Sequence, residues 1–362
     1  MTGSVHNVPD PGAPPVFNQH ESLACAANLD SLPHAYGRPT VSGIIRQAPG
    51  DFVVAEILPF QLSGAGEHLY LRIRKTGQNT RWVARQLAKR FDLAFRSVSY
   101  AGLKDRHAAT EQWFSLHLPG QPDPDLTNTA IDGVEVVKSS RHSTKLRRGM
   151  LAGNRFRIIL RDLSGDLSGL EARLRKLSGA AIPNYFGAQR FGKEAGNLKL
   201  LEVSDSRRTP SREARSFGLS AIRSALFNGY LAERIADDTW HQILPGEIVY
   251  DESREVYRHV DRLAGLDNRH QSTGLLWGCG ENKATGPALA KETEYFGRFP
   301  DFTNLLSAYE VRMMRRPLSL RLPDLAWSLS GHSLQLSFTL RRGMYATVVL
   351  REIANLSEPV RP

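Results

Sequence analysis

The chain has 362 residues, more than one ordinary compact core holds, so two substantial lobes are expected. Hydrophobic residues make up 41% and charged residues 23%, a globular balance, and no run approaches the ~20 apolar residues that a membrane helix requires. Lys and Arg outnumber Asp and Glu by 47 to 37, and the net charge of +10 points to a polyanionic partner, although a basic protein with no such partner has the same composition.

Only two cysteines are present, Cys25 and Cys279, too far apart for a metal site or a disulfide framework, so the chain reads as cytosolic and reduced. Residues 1–36 begin polar, carry Pro9, Pro11, Pro14 and Pro15, and lack the basic-then-apolar pattern of a secretory signal. They read as a flexible tail. Short β-like runs follow at Ser42–Arg46, Phe52–Glu56 and His68–Arg74, the last alternating as a strand buried on one face does. Thr80 to Phe91 reads as a helix capped by Thr80, with Val83, Leu87 and Ala88 on one face. Ser97–Tyr100 and Trp113–Leu118 resume the strand pattern and bracket the polar loop Gly102–His107. Phe156–Leu160 predicts a strand and Gly169–Leu177 a helix, after which Gly179 and Pro183 punctuate the chain. The character then changes up to about Arg316, with a long amphipathic helix at Ser216–Ile235, which marks a second lobe. Leu334–Leu340 is a strand, followed by a turn and a strand or helix start at Tyr345–Leu350.

Two stretches carry candidate chemistry. In Ala101–Trp113 one carboxylate, Asp105, sits between Lys104 and Arg106 shortly after a glycine. Nearby cations favour the ionised acid and keep it available as nucleophile or base, although a solvated charge cluster on a surface turn gives the same letters. Lys138 to Arg161 contains eight basic residues and no Asp or Glu, a one-sign field that phosphates would neutralise, unless it is a bare solvated face. Phe156, Tyr185, Phe186 and Phe191 offer planes for an unstacked base, or are simply core. Gly278–Thr285 lacks the ending of a phosphate loop, the eleven histidines form no ligand pair, and no dinucleotide fingerprint is present.

Several strings, taken in order, resemble the TruD family of tRNA pseudouridine synthases, whose characterised bacterial members modify uridine 13. They are Pro49–Glu56, Gly66–His68 with Asn79–Arg81, Gly102–Gln112, Gly153–Phe156, Pro183–Gly192, Ser220–Asn228 and Ala346–Glu352. The resemblance spans roughly residues 37–352. It implies an α+β fold: a pseudouridine-synthase-type catalytic domain split between residues 37–179 and 319–362, its mixed, largely antiparallel sheet flanked by helices. An inserted α/β TRUD domain would occupy residues 180–318, with RNA in the cleft between the two.

The same resemblance makes Asp105 the catalytic aspartate and Arg46 its ion-pair partner. It makes Phe52 and Tyr345 apolar or stacking walls and Asn154 a polar reader of the nucleotide, with Phe156 nearby. Ordinary core packing is the alternative for Phe52 and Phe156. Two departures stand out: Arg46 replaces the family's usual Lys and Tyr345 its usual Phe. The implied reaction is isomerisation of one flipped-out uridine of tRNA with no cofactor and no metal, by a monomer that has no membrane partner. The competing readings are a non-catalytic tRNA-binding or folding-assist protein on the same scaffold and an RNA methyltransferase. The second would need a cofactor pocket that the glycine pattern lacks.

Overall fold

A computed structural model describes residues 18–104, 108–126, 131–201, 211–260 and 263–359. They divide into two compact units, one built from His34–Asn184 with Ser319–Pro362, the other from the residues before His34 with Tyr185–Leu318. Helix α1 (Gln19–Ala27) comes first, in the segment that reads as tail in the sequence. Asn18 caps it, and Leu23, Ala26 and Ala27 are buried. Three small or isolated apolar positions are too sparse to register as a periodic stripe.

The chain then builds β1 (Val41–Ile45), β2 (Phe52–Ile57), β3 (His68–Lys75), α2 (Thr80–Arg90), β4 (Val98–Tyr100), β5 (Ala109–His117), β6 (Val134–His142), β7 (Gly153–Gly165), α3 (Leu170–Gly179) and β8 (Ile182–Pro183). In the other unit follow α4 (Arg212–Ala236), β9 (Glu247–Asp251), β10 (Val256–Val260), β11 (His270–Gln271), β12 (Thr273–Leu276), α5 (Gly286–Gly297), α6 (Pro300–Ala308) and β13 (Met314–Pro317). The first unit is completed by β14 (Ser319–Leu320), β15 (Ala326–Ser330), β16 (Ser333–Arg341), α7 (Ala346–Arg351) and β17 (Asn355–Ser357). Among the described residues no helix is long and apolar enough to cross a membrane.

The main sheet runs β15-β16-β7-β2-β5-β3-β6, with β1 joined to β7 and β17, and β4 to β5. Only β1 with β17 and β2 with β5 pair in parallel, so the sheet is mixed and largely antiparallel. Strand alternation sends Val54, Phe156, Ile158 and Phe338 into one core with Leu174 and Leu177 of α3 and Val349 and Leu350 of α7. Beside it, Leu69, Leu71, Phe114 and Leu116 pack on Val83, Ala84 and Leu87 of α2. Each such fully buried side chain contributes about 1.5–3 kcal/mol.

Two further sequence expectations change. Strand β3 is buried on both faces up to Leu71, because Phe60 and His142 close over Tyr70. Thr80 does not cap α2: Asn79 does, its Oδ1 accepting from Trp82 N at 2.7 Å. That leaves the Thr80 hydroxyl for another use.

The unit containing α4 is organised around that helix, whose N-cap Ser211 accepts from Ala214 N. Near the other end of α4, Arg234 is fully buried. Its guanidinium donates to Thr239 Oγ1, Tyr230 Oη, Ser272 Oγ and two carbonyls, and pairs with Glu247 at 3.4 Å. A buried charge this fully partnered ties α4 to β9 without an orphaned donor.

Candidate active site

The candidate site forms on the face of β2 and β7 that carries Phe52, Val54 and Glu56. Register places Glu56 opposite Asn154 and Val54 opposite Phe156. Lys104, arriving from the loop before β5, bridges the first pair. Its Nζ donates to Asn154 Oδ1 at 2.6 Å and lies 3.1 Å from Glu56 Oε1. Trp113 N donates to the other Glu56 oxygen at 2.8 Å. Glu56 is only 3% exposed, and burial pushes its carboxyl pKa up while the Lys104 ammonium opposes the shift.

The loop itself is tied down from two further directions. Gln112 Nε2 donates to Gly102 O at 2.6 Å. The Thr80 hydroxyl donates to Gln112 Oε1 at 2.9 Å and accepts from Lys104 N at 3.0 Å. On the far side Ala108 is fully buried in the same core cluster as Phe52 and Phe156. The chain is therefore held on both flanks of residues 105–107. Asp105, the expected catalytic aspartate, lies outside the described residues.

The other expected residues are placed as follows. Phe52 and Phe156 are core residues, 5% and 7% exposed, meeting edge to face at 6.1 Å, and Phe156 stacks on Phe338 at 5.5 Å. The Arg46 guanidinium lies 4.4 Å from the Phe52 ring centroid and forms an ion pair with Glu358. Arg46 has φ 61°, an uncommon backbone conformation for a side-chain-bearing residue. Arg46, Phe52 and Phe156 thus form one group, with Asn154 next along β7. Tyr345 is half-buried at the N-cap of α7, between Met344 and Ala346, which both pack on that cluster.

The sequence gives no role to Glu56 or Gln112, and it offers Thr80 only as a helix cap and Lys104 only as a cation beside Asp105, although all four lie inside strings that carry the resemblance. Asp51, from the first string, serves a structural end. It takes a bidentate pair from Arg161 at 2.7 and 2.9 Å, which holds its carboxyl below the ordinary carboxylate range.

The acid-free stretch from Lys138 to Arg161 resolves into two classes. Arg161 is neutralised by Asp51, Arg141 by Asp123 at 2.5 Å, and Lys145 Nζ donates to Arg96 O. The side chains of Lys138, Arg147, Arg148, Arg155 and Arg157 have no hydrogen-bond or ion-pair partner among the described residues. Arg155 and Arg157 alternate with Asn154 and Phe156 along β7 and so occupy the opposite face of the sheet. There Lys138, Arg155, Trp113 and Phe60 line a cavity of about 480 Å³.

The family model for tRNA pseudouridine synthase D (TruD) matches residues 29–202 and 207–353. A tRNA pseudouridine synthase D from Methylococcus capsulatus is 43% identical over 334 residues, covering 90% of this chain and 94% of its own. One from Aeromonas salmonicida is 39% identical over 339 residues, covering 91% and 96%. The crystal structure of a Methanosarcina mazei protein assigned as tRNA pseudouridine synthase D superimposes with a TM-score of 0.69 at 20% identity, over 94% of this chain and 98% of that one. This last likeness is one of fold.

Proposed function

Because the chain belongs to the TruD family of tRNA pseudouridine synthases, isomerases acting on tRNA, we propose that it converts one uridine of tRNA, at position 13, to pseudouridine with the Asp105 carboxylate. The reaction breaks the N1–C1′ bond, turns the uracil in the site and joins C5 to C1′. N1 gains a proton and C5 loses one, so nothing is oxidised, hydrolysed or consumed. A single ionised carboxylate serves this chemistry as nucleophile at the sugar or base, or as a base toward a sugar proton. The target uridine leaves its stack to be reached.

The observation that carries the reading is the set of bonds holding Gly102–Lys104 against β5, α2 and β7. Such anchoring suits a loop whose next side chain must meet a reacting atom with little freedom to stray. Glu56 and Lys104 act as positioning residues. Asn154, its Oδ1 engaged by Lys104, keeps its amide N–H groups to donate to a uracil carbonyl. Phe52, with Arg46 over its ring, and Tyr345 wall the base, and the uncompensated cations of β6 and β7 contact phosphates.

Incubating the protein with unmodified tRNA and no added cofactor tests the proposal. Pseudouridine at position 13 without a mass change is the expected product. Binding without conversion would favour the non-catalytic reading, and a methyl mass gain dependent on a methyl donor would favour methyl transfer.

A further inference from the structure

Two of the strings that carry the family resemblance, from Tyr185 to Gly192 and from Ser220 to Asn228, take no part in the site on the sheet. Within their own unit they are brought together. Asn228 Oδ1 accepts from Phe186 N at 2.7 Å and its Nδ2 donates to Phe186 O at 3.1 Å, clamping that segment onto α4. One turn away, Arg190 Nε donates at 3.1 Å to Ser224 Oγ, which in turn donates to Ser220 O. Arg190 is thereby held beside α4 next to Arg223. The guanidinium of Arg316 lies 4.1 Å, and that of Arg190 5.3 Å, from the centroid of the buried Phe186 ring.

Arg223 is half-buried and has no hydrogen-bond or carboxylate partner among the described residues. Burial first, and then the charge of Arg190, lower its pKa from the ordinary arginine value to about 10. A half-buried guanidinium held beside a second, exposed one with no counter-charge among the described residues costs the free protein stability. An oxyanion removes that cost, because the guanidinium fork matches phosphate oxygens in pairs. Hydrogen bonding to Ser224 and stacking on Phe186 fix the Arg190 fork before any ligand arrives, so less side-chain entropy is lost on binding.

We propose that Arg190 and Arg223, with Arg316 stacked on Phe186, form an oxyanion site that takes a backbone phosphate of the tRNA. The assignment to RNA rests on the function proposed above, whereas the anion chemistry stands on the arginine cluster. The site holds substrate and takes no part in bond breaking.

The test measures tRNA affinity as a function of salt for the parent, Arg190→Gln and Arg223→Gln. Each Gln variant is expected to bind about tenfold more weakly at low salt, with the log–log salt slope reduced by about one. Unchanged affinity and slope in both variants would overturn the site. Because Arg223→Gln relieves like-charge crowding, the free variant should melt no lower than the parent, and a lower melting temperature would instead mark Arg223 as structural. If the parent itself fails to bind tRNA, the substrate reading falls and inorganic phosphate decides the site alone. A phosphate-induced rise in melting temperature that the Arg190→Gln/Arg223→Gln double variant lacks supports it, and equal rises refute it.

Discussion

Replacing Thr80 by Val removes one hydroxyl while nearly keeping side-chain shape, and so isolates the anchor of the loop before Asp105. Thr80 is 1% exposed, and its oxygen makes two bonds, to Gln112 Oε1 at 2.9 Å and from Lys104 N at 3.0 Å. Each neutral bond is worth about 0.5–1.5 kcal/mol net, and an acceptor orphaned on the fully buried Gln112 costs a further ~1–3 kcal/mol. The variant should therefore lose roughly 2–6 kcal/mol in urea unfolding. Once Lys104 N is released, a shift of ~1 Å in the following residue should slow single-turnover conversion about 100-fold. Affinity for tRNA should stay near the parent's, since binding rests on many phosphate contacts. Thr80→Ser keeps the oxygen and should retain most of the rate. A Val variant that loses the expected stability but converts uridine within threefold of the parent would show that this bond does not position the reacting segment.

Asp105→Asn should abolish conversion and leave tRNA affinity largely intact, and turnover within a few-fold of the parent would remove Asp105 from its role. Replacing Arg147 and Arg148 by Ala should weaken tRNA binding broadly and lower the log–log salt slope by about one per lost phosphate contact. An unchanged slope would mean that both face solvent in the complex. Tyr345→Ala should cost about 1–3 kcal/mol of stacking, roughly 5- to 150-fold in substrate handling, whereas Tyr345→Phe should cost almost nothing. A Phe variant as slow as the Ala variant in single turnover would place the hydroxyl in the proton transfer at C5.

The strands around the candidate site are legible in sequence because alternation survives wherever one face meets a core, as in Phe52, Val54 and Glu56 of β2. Strand β6 is not, since it lies at the sheet edge and none of its side chains is fully buried. Local rules also mislead where a side chain has a tertiary use. Thr80 looks like a cap because a hydroxyl often is one, but Asn79 takes that place and the Thr80 hydroxyl reaches Gln112, 32 residues away. The bridge among Glu56, Lys104 and Asn154 joins three strings separated by about fifty residues each, and only strand register brings them together. In the same way a basic run without acids looks uncompensated until Asp51 and Asp123 arrive from other segments. The family resemblance marks the strings that matter, and the geometry separates those that anchor, such as Asp51, from those that face the site.

The order in which this sheet can be completed follows from its strand connections. Strand β7 has β16 along one side, with Phe156 stacked on Phe338, yet all of Tyr185–Leu318 is synthesised between them. While the ribosome makes that intervening unit, β7 must wait with one edge unpaired and an aromatic surface uncovered. Its pairing is of high contact order, and folding of the sheet unit is accordingly expected to be late and slow. The short β8–β14 ladder, where Pro183 faces Ser319 and Ile182 faces Leu320, joins the points at which the chain leaves and returns. A clasp there converts a very long loop into a local closure, so that β16 is delivered close to the edge it must fill.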